Sequence, residues 1–576
     1  MKTKLTTIVA IGLFLVAVAI SCSRPSPAPS APGPVSSTAK QAIPPPNIFG
    51  PVVTETTQIT QADLTTPTPL IPGDLYRPAN QTIDHAQAAK FAWLEFIALV
   101  SPNKPSPTRG QPGGSFTSAK GGSGSTYPLV WETYQHRSEL FPATANGVSP
   151  PQPWDSTPKY VYNPQPSPSP GADYSLFNNL DEASQIFQNN LFFPVNGQAY
   201  EVLFEAKANQ MENQYVANNY PLPNPATLYD GSIEIKAAWR PVASIDPSQL
   251  YRYHVANVIT YGGTMDNPVA QNGQYALIAL HIIHKTKNYP SFIFATFEQV
   301  DDYVNQVTNQ PTGVYYQTLY PAPDPGVTPT PLPTPAGYQS GSYYFASDPN
   351  GYSAPGTTPT AANFTATANP TRVFDVNNPL AWPNGQQYTA PNGKGFQPVP
   401  AVSTNGQKVT VTLPPTGNTD VAGVNQQIRG LISALGLGNE FVWQYYQLTG
   451  VQAIPTSDET TKDYYLANIV VESSQAGIQL FRGGLSPNPS FEPVPNIRNK
   501  LNVNDTATNT KYSMGGCMGC HGAAQGEGGD FSFLLSTGQQ GFSVDTIQGN
   551  TNTLEEAMRN ATKRRALIHR NPNFKY

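Results

Sequence analysis

The chain has 576 residues, enough for more than one domain. Charged residues make up 12% of it, about half the usual share, while its 60 prolines are about twice the usual number. A net charge of −5 with no basic stripe argues against nucleic acid as a partner, and the 30 tyrosines point to an exported, loop-rich, partly β protein.

The N-terminus opens with Lys2 and Lys4, followed by the apolar run Ile8 to Ile20. That run is too short to span a bilayer comfortably and has the length of a signal-peptide core. It ends Ala19-Ile20-Ser21-Cys22, which resembles a bacterial lipobox, although Ala19 stands where leucine is usual. Residues 1–22 are therefore expected to be a lipoprotein-type signal peptide with Cys22 as the lipidated residue. Ala17-Val18-Ala19 offers an ordinary cleavage site as the alternative. Residues 23–46 are proline-rich and read as an extended tether. The expected location is the periplasmic or cell-surface side of a bacterial membrane, with the lipid as anchor.

Residues 47–319 read as a β-rich domain. A helix is predicted over 82–100, with Trp93, Phe96, Ile97 and Val100 at helical spacing and Pro102 as its stop. Residues 103–126 read as a loop, Pro128 to Tyr134 as a strand, and 142–175 as coil. Over 231–240 the pattern alternates: Ile233, Ile235, Ala237 and Trp239 on one side, Glu234, Lys236 and Arg240 on the other. That period predicts a half-exposed strand. Strands are also predicted at Val255 to Tyr261, Tyr275 to His284 and Phe292 to Phe297, together making an antiparallel sheet or sandwich. On such a strand His281 and His284 fall on opposite faces, so one at most could look at a group docked on the sheet. The expectation is one satisfied core histidine and one exposed. His85, His136 and His254 receive no functional assignment.

Residues 320–418 are rich in Pro, Thr and Gly and read as an insertion or linker, with a short strand at Lys408 to Leu413. Beyond them, 419–576 reads as helical. Val424, Ile428, Leu431 and Leu435 share a face that stops at Gly436 and Gly438. Further helices are predicted at 440–448, 463–481 (capped by Asp463) and 553–569. Lys563-Arg564-Arg565 reads as a solvated helix end. The fold class is then α+β: a β-rich N-terminal domain, an antiparallel sheet or sandwich with a few helices, plus a small all-α C-terminal domain.

Inside the helical part, residues 517–521 read Cys-Met-Gly-Cys-His. This is the attachment signature of a c-type haem: each thiol can add across one vinyl group, and the adjacent imidazole then lies beneath the iron. A redox disulfide is the competing reading, but such sites follow a strand in a βαβ unit, and here a polar loop precedes. A zinc site would need a second pair of ligands. Cys517 and Cys520 are thus the expected thioether residues, His521 the proximal ligand and metal-binding residue, and one haem c the cofactor. Covalent haem attachment takes place outside the bacterial cytoplasm, in agreement with the export signal. For the sixth position Met558 is the downstream candidate, although a core methionine on an amphipathic helix is the more ordinary use of that residue. Met514 is close in sequence but constrained by the loop, and His569 reads as a surface residue.

The stretches at 91–99, 129–134, 233–240, 280–286, 294–299, 515–522 and 530–533 together resemble a group of large, exported, single-haem bacterial cytochrome c family proteins. The resemblance skips the Pro/Thr-rich middle. It implies haem c and electron transfer, with no substrate specified. Three functions follow from these readings. The first is an electron carrier between periplasmic or surface redox partners. The second is a haem enzyme, peroxidase- or oxidoreductase-like, with a substrate pocket in the N-terminal domain. The third is a cell-surface binding or scaffold protein with accessory haem.

Overall fold

The computed structural model describes residues 48–78, 84–105, 108–119, 128–144, 147–156, 178–183, 191–195, 198–264, 267–302 and 421–454. It also describes 517, 518, 521, 524 and 529–538, and the short strands at 167–168, 304–305, 310–311, 315–316, 388–389 and 395–396. The signal segment with Cys22, the tether, most of the insertion, the helices predicted at 463–481 and 553–569, Met514, Cys520, Met558, His569 and the Lys563 cluster lie outside the described residues.

One sheet organises the fold. Its strands are β1 (Gln135–His136), β2 (Ser167–Pro168), β3 (Leu203–Ala208), β4 (Ile233–Pro241), β5 (Val255–Thr264), β6 (Asn267–His284), β7 (Ile293–Gln299) and β8 (Tyr446–Gln452). Their order is β8-β7-β6-β4-β3-β1, antiparallel throughout. β5 pairs with the first half of the long β6, and β2 joins β6 there in parallel. The fold is α+β with a β-rich body, as the alternation over 231–300 predicts.

Four helices matter here: α1 (His85–Leu99), α2 (Gln210–Asn219), α3 (Val421–Ala434) and α4 (Phe533–Gly538). Asp84 caps α1 by accepting from the amides of Ala86 and Gln87 at 2.9 and 3.3 Å. The Ser101 hydroxyl donates to Ile97 O at 2.7 Å as the helix ends, and Pro102 follows. α1 is not amphipathic in the ordinary sense. Every residue from Ala86 to Leu99 except Leu94 is buried, because the sheet, α3 and β8 enclose it. Phe96 stacks on Phe297 at 4.0 Å, and Trp93 stands edge-on to both rings. Asn425 ties three elements together. Its carbonyl accepts from Trp93 Nε1 of α1 (2.8 Å) and from Leu448 N of β8 (3.2 Å), and its amide donates to Leu448 O (2.7 Å). α3 ends where predicted, with Gly436 and Gly438 at φ +63° and +76°, a left-handed conformation that glycine adopts without a Cβ clash.

Three expectations are corrected. Residues 128–134 are not a strand but a turn with a short 3₁₀ helix at Trp131–Thr133. Glu132 accepts from Leu129 N (2.7 Å) and the Thr133 hydroxyl donates to Val130 O (2.8 Å), local bonds that close the turn. Residues 440–448 are not helical. A 3₁₀ turn at Val442–Tyr445 leads into β8, whose backbone takes up the open edge of β7. β8 thereby builds residues from beyond 419 into the β-rich sheet. Finally, β4 is not half exposed: on its polar face Glu234 and Arg240 are at 4% and 6% exposure and Lys236 alone is partly open. The reason lies in what covers its polar face.

Candidate functional site

Sheet register decides which side chains meet. Pairing lines up Lys236, His281 and Thr296 in one row across the sheet, and Glu234, Ile283 and Phe294 in another. In a pleated sheet these residues share one face, while Ile235, Ile282 and Ala295 point to the helix side. The segment carrying Cys517 and His521 lies against the first face. Cys517, Met518, Phe531, Leu534 and Leu535 form one apolar cluster with Phe141, Ile283, Phe292 and Phe294.

Polar contacts lock this docking. Asp530 receives Lys285 Nζ at 2.6 Å and Leu228 N at 2.8 Å, and Gln452 of β8 accepts from Met518 N at 2.8 Å. Ser532 hydrogen-bonds to Glu234. Asp530 and Phe531 both adopt positive φ (+54° and +66°), a pair of left-handed residues outside glycine and therefore strained. Their turn aims the Phe531 carbonyl at His521.

His521 is buried at 5% exposure. Its Nδ1 lies 2.8 Å from Phe531 O. A carbonyl only accepts, so Nδ1 carries the proton. Burial, opposed by that hydrogen bond and aided by Lys236, pushes the imidazole pKa down to about 4. The ring is thus neutral, with the lone pair on Nε2, the form in which imidazole binds a metal. Phe294 and Phe533 sit 4.9 Å from it. The His281 ring lies 5.9 Å away, its plane 29° from parallel. His281 is buried too, its Nδ1 2.6 Å from Thr296 Oγ1. Burial first, then His521 and Lys236, hold it well below the usual histidine range.

The expectation of one exposed histidine in the pair fails. His284, on the opposite face, is equally buried, with Nδ1 2.8 Å from Glu95 of α1 and its ring between Phe49 and Phe91. It is a core histidine, set against a buried carboxylate and two phenyl rings. Among the described residues of the motif, His521 lies beside His281 of the sheet, and Cys517 joins the apolar cluster that holds Ile283 and Phe294.

Sequence reasoning missed a set of buried charges. Beside the docked segment, Glu212 of α2 and Glu234 meet carboxyl to carboxyl. Burial first, with Glu234 and Asp530 beside it, pushes Glu212 well above the usual range. Burial pushes Glu234 up to about 7. Elsewhere, Lys207 lies 3.3 Å from Glu205 and donates to Glu132 O and Asn178. His254 Nε2 lies 2.9 Å from Glu132, and His136 Nε2 lies 3.2 Å from Asp181. Burial would raise the Asp181 carboxyl, but Arg137 and His136 hold it at about 2. The one readable signal was a charge inside a strand, as at Glu205, Lys207 and Glu234, in a chain with so few charges. Among the described residues no cluster of three or more His, Cys, Asp or Glu side chains is arranged to hold a metal ion, and no helix is long and apolar enough to cross a membrane. Comparison with family models, with curated proteins and with solved structures yields no match at any level that identifies a relative.

Proposed function

We propose that the chain is an exported c-type cytochrome, tethered to a membrane through a lipid on Cys22, that passes single electrons between periplasmic or surface redox partners. One haem c would be held by thioethers to Cys517 and Cys520, with His521 as the proximal ligand and a small helical part around them. The observation that carries this reading is the state of His521: a buried, neutral imidazole whose Nδ1 proton is fixed on the Phe531 carbonyl. That arrangement selects Nε2 for a metal and orients the ring. A haem-binding fit is supported by the donor set, a buried thiol and a buried imidazole among Phe294, Phe531, Phe533, Leu534 and Leu535. Bound there, the haem would supply a one-electron Fe(III)/Fe(II) couple, whose potential the apolar surround and the axial ligands set. The protein's own part is to hold His521 in one tautomer, exclude water and fix the segment to a rigid sheet.

The test is a reduced-minus-oxidised spectrum of the chain matured with a haem-ligation system, followed by extraction into acidified solvent. A c-type spectrum with pigment that stays on the polypeptide is expected, and Cys517→Ala with Cys520→Ala should abolish it. A colourless protein, or pigment wholly extracted, overturns the reading.

A further inference from the structure

We propose that Glu212 and Glu234 form a proton latch for the docked segment: the two carboxyls keep a proton between them while residues 529–538 sit on the sheet, and release it to water when those residues lift. The latch does not depend on the haem reading.

The fold brings the two carboxyls together. β4 pairs with β3 so that Glu234 stands opposite Ala208. Asn209 comes next and caps α2, accepting from Glu212 N at 3.2 Å, so Glu212 falls in the first turn of that helix. Both glutamates are buried, and they hydrogen-bond to each other with Glu212 as the donor. Apart from the Glu234 carboxyl, neither Glu212 oxygen has a hydrogen-bond partner among the described residues. The charges that act on Glu212 are Glu234 and Asp530, both acidic. Two carboxyls closed in together without a cation cannot both ionise, so a proton stays between them.

The docked segment is the cover. The Ser532 hydroxyl donates to Glu234, Asp530 accepts from Leu228 N, and Phe531 joins the apolar cluster that holds Tyr215 and Val216 of α2. Lifting the segment replaces that surround with water, where a glutamate titrates near 4.5. The closed form therefore holds a proton that the open form has lost. Above neutral pH the opening constant rises with pH, by at most about tenfold per unit for one proton.

The other titratable and charged groups at this seam are the Asp530–Lys285 pair, Lys236 with Glu182, Tyr215 with Tyr229, and the histidines 281 and 521. Burial holds both histidines low, so exposing them takes up protons. That effect has the opposite sign and is confined to pH below the ordinary histidine value of 6.5. Tyr215 is held above 10. The carboxyl pair thus has the range just above neutrality to itself among these shifted groups.

The experiment is hydrogen exchange on the full-length protein, read by mass spectrometry on peptides covering 529–538 and corrected for the intrinsic pH dependence of amide exchange. From about pH 7 to 9 the wild-type opening constant should rise severalfold per unit, while that of Glu212→Gln stays nearly flat. Every other group is common to both proteins, so the difference in slope belongs to the pair. Peptides from α1 serve as the reference and should show no such rise. Equal slopes in the two proteins overturn the proposal, as does a rise of the same size in α1, which marks global unfolding. A second readout needs no variant: the infrared band of a protonated carboxyl should persist in the folded wild type at pH 8 and disappear on unfolding. A folded protein with every carboxyl ionised at pH 8 overturns the latch. A colourless protein with the expected slopes removes the cytochrome reading and leaves the latch standing.

Discussion

At the scale of single residues, the docked segment depends on charges placed where water is absent. Lys285 and Asp530 are each almost fully buried, and they are partners. Removing one partner strands the other, at a cost of about 3 kcal/mol. Asp530→Asn should therefore lower the urea midpoint markedly, and the paired change Lys285→Met with Asp530→Leu should recover part of the loss. The Glu212–Glu234 pair acts in the opposite sense from a salt bridge. An unfolded glutamate titrates near 4.5, whereas folded Glu234 titrates near 7 because burial disfavours its charge. Between these values the folded chain keeps a proton that the unfolded chain releases, so the contribution of Glu234 is most favourable in acid, falls from about pH 4.5 to 7 and then levels. Glu234→Gln should flatten that slope and raise stability at pH 8 by about 2 kcal/mol, read from melting curves across pH. Asp181 contributes the reverse trend. Its stabilisation is present above the ordinary aspartate value of 3.8 and is lost as pH falls toward 2.

Secondary elements show where local pattern suffices and where it does not. α1, β4, β5, β6, β7 and α3 were legible because each carries its own period or stop: Asp84 and Pro102 around α1, alternation in β4, glycines after α3. β8 was not, because Phe441 to Leu448 has aromatic and apolar residues at spacings that suit a helix or a strand. The open edge of β7, far away in the chain, made the choice. β4 is the more instructive case. Its alternation was read correctly, and the conclusion that polar means solvent was wrong. Glu234 faces the docked segment, which brings its own polar partners. The motif at 517–521 was legible as chemistry, but nothing local reveals that it lies beside His281, since that neighbourhood is set by register and by Asp530, Lys285 and Gln452. Asn425 gives a test at this scale. Asn425→Ala removes bonds to α1 and β8 together and should cost about 2 kcal/mol, with faster amide exchange along Tyr446–Gln452.

For the molecule as a whole, the sheet is the common support of two faces. One is closed by α1 and α3, the other in part by the segment with Cys517 and His521. A haem fixed to that segment would couple pigment and sheet into one cooperative unit. Thermal unfolding followed at the haem band and by near-ultraviolet circular dichroism should then give a single coincident transition. Two separated transitions would show that the haem-bearing part melts independently. The place of β8 in the sheet also bears on the order of assembly. A ribosome releases β3 to β7 long before Tyr446–Gln452 exists, and the partner for the His281 face arrives later still. Through that interval the newborn chain carries a naked sheet border and an unroofed greasy surface, the features that invite wrong partners. The topology therefore leaves that surface in need of cover until the last residues arrive.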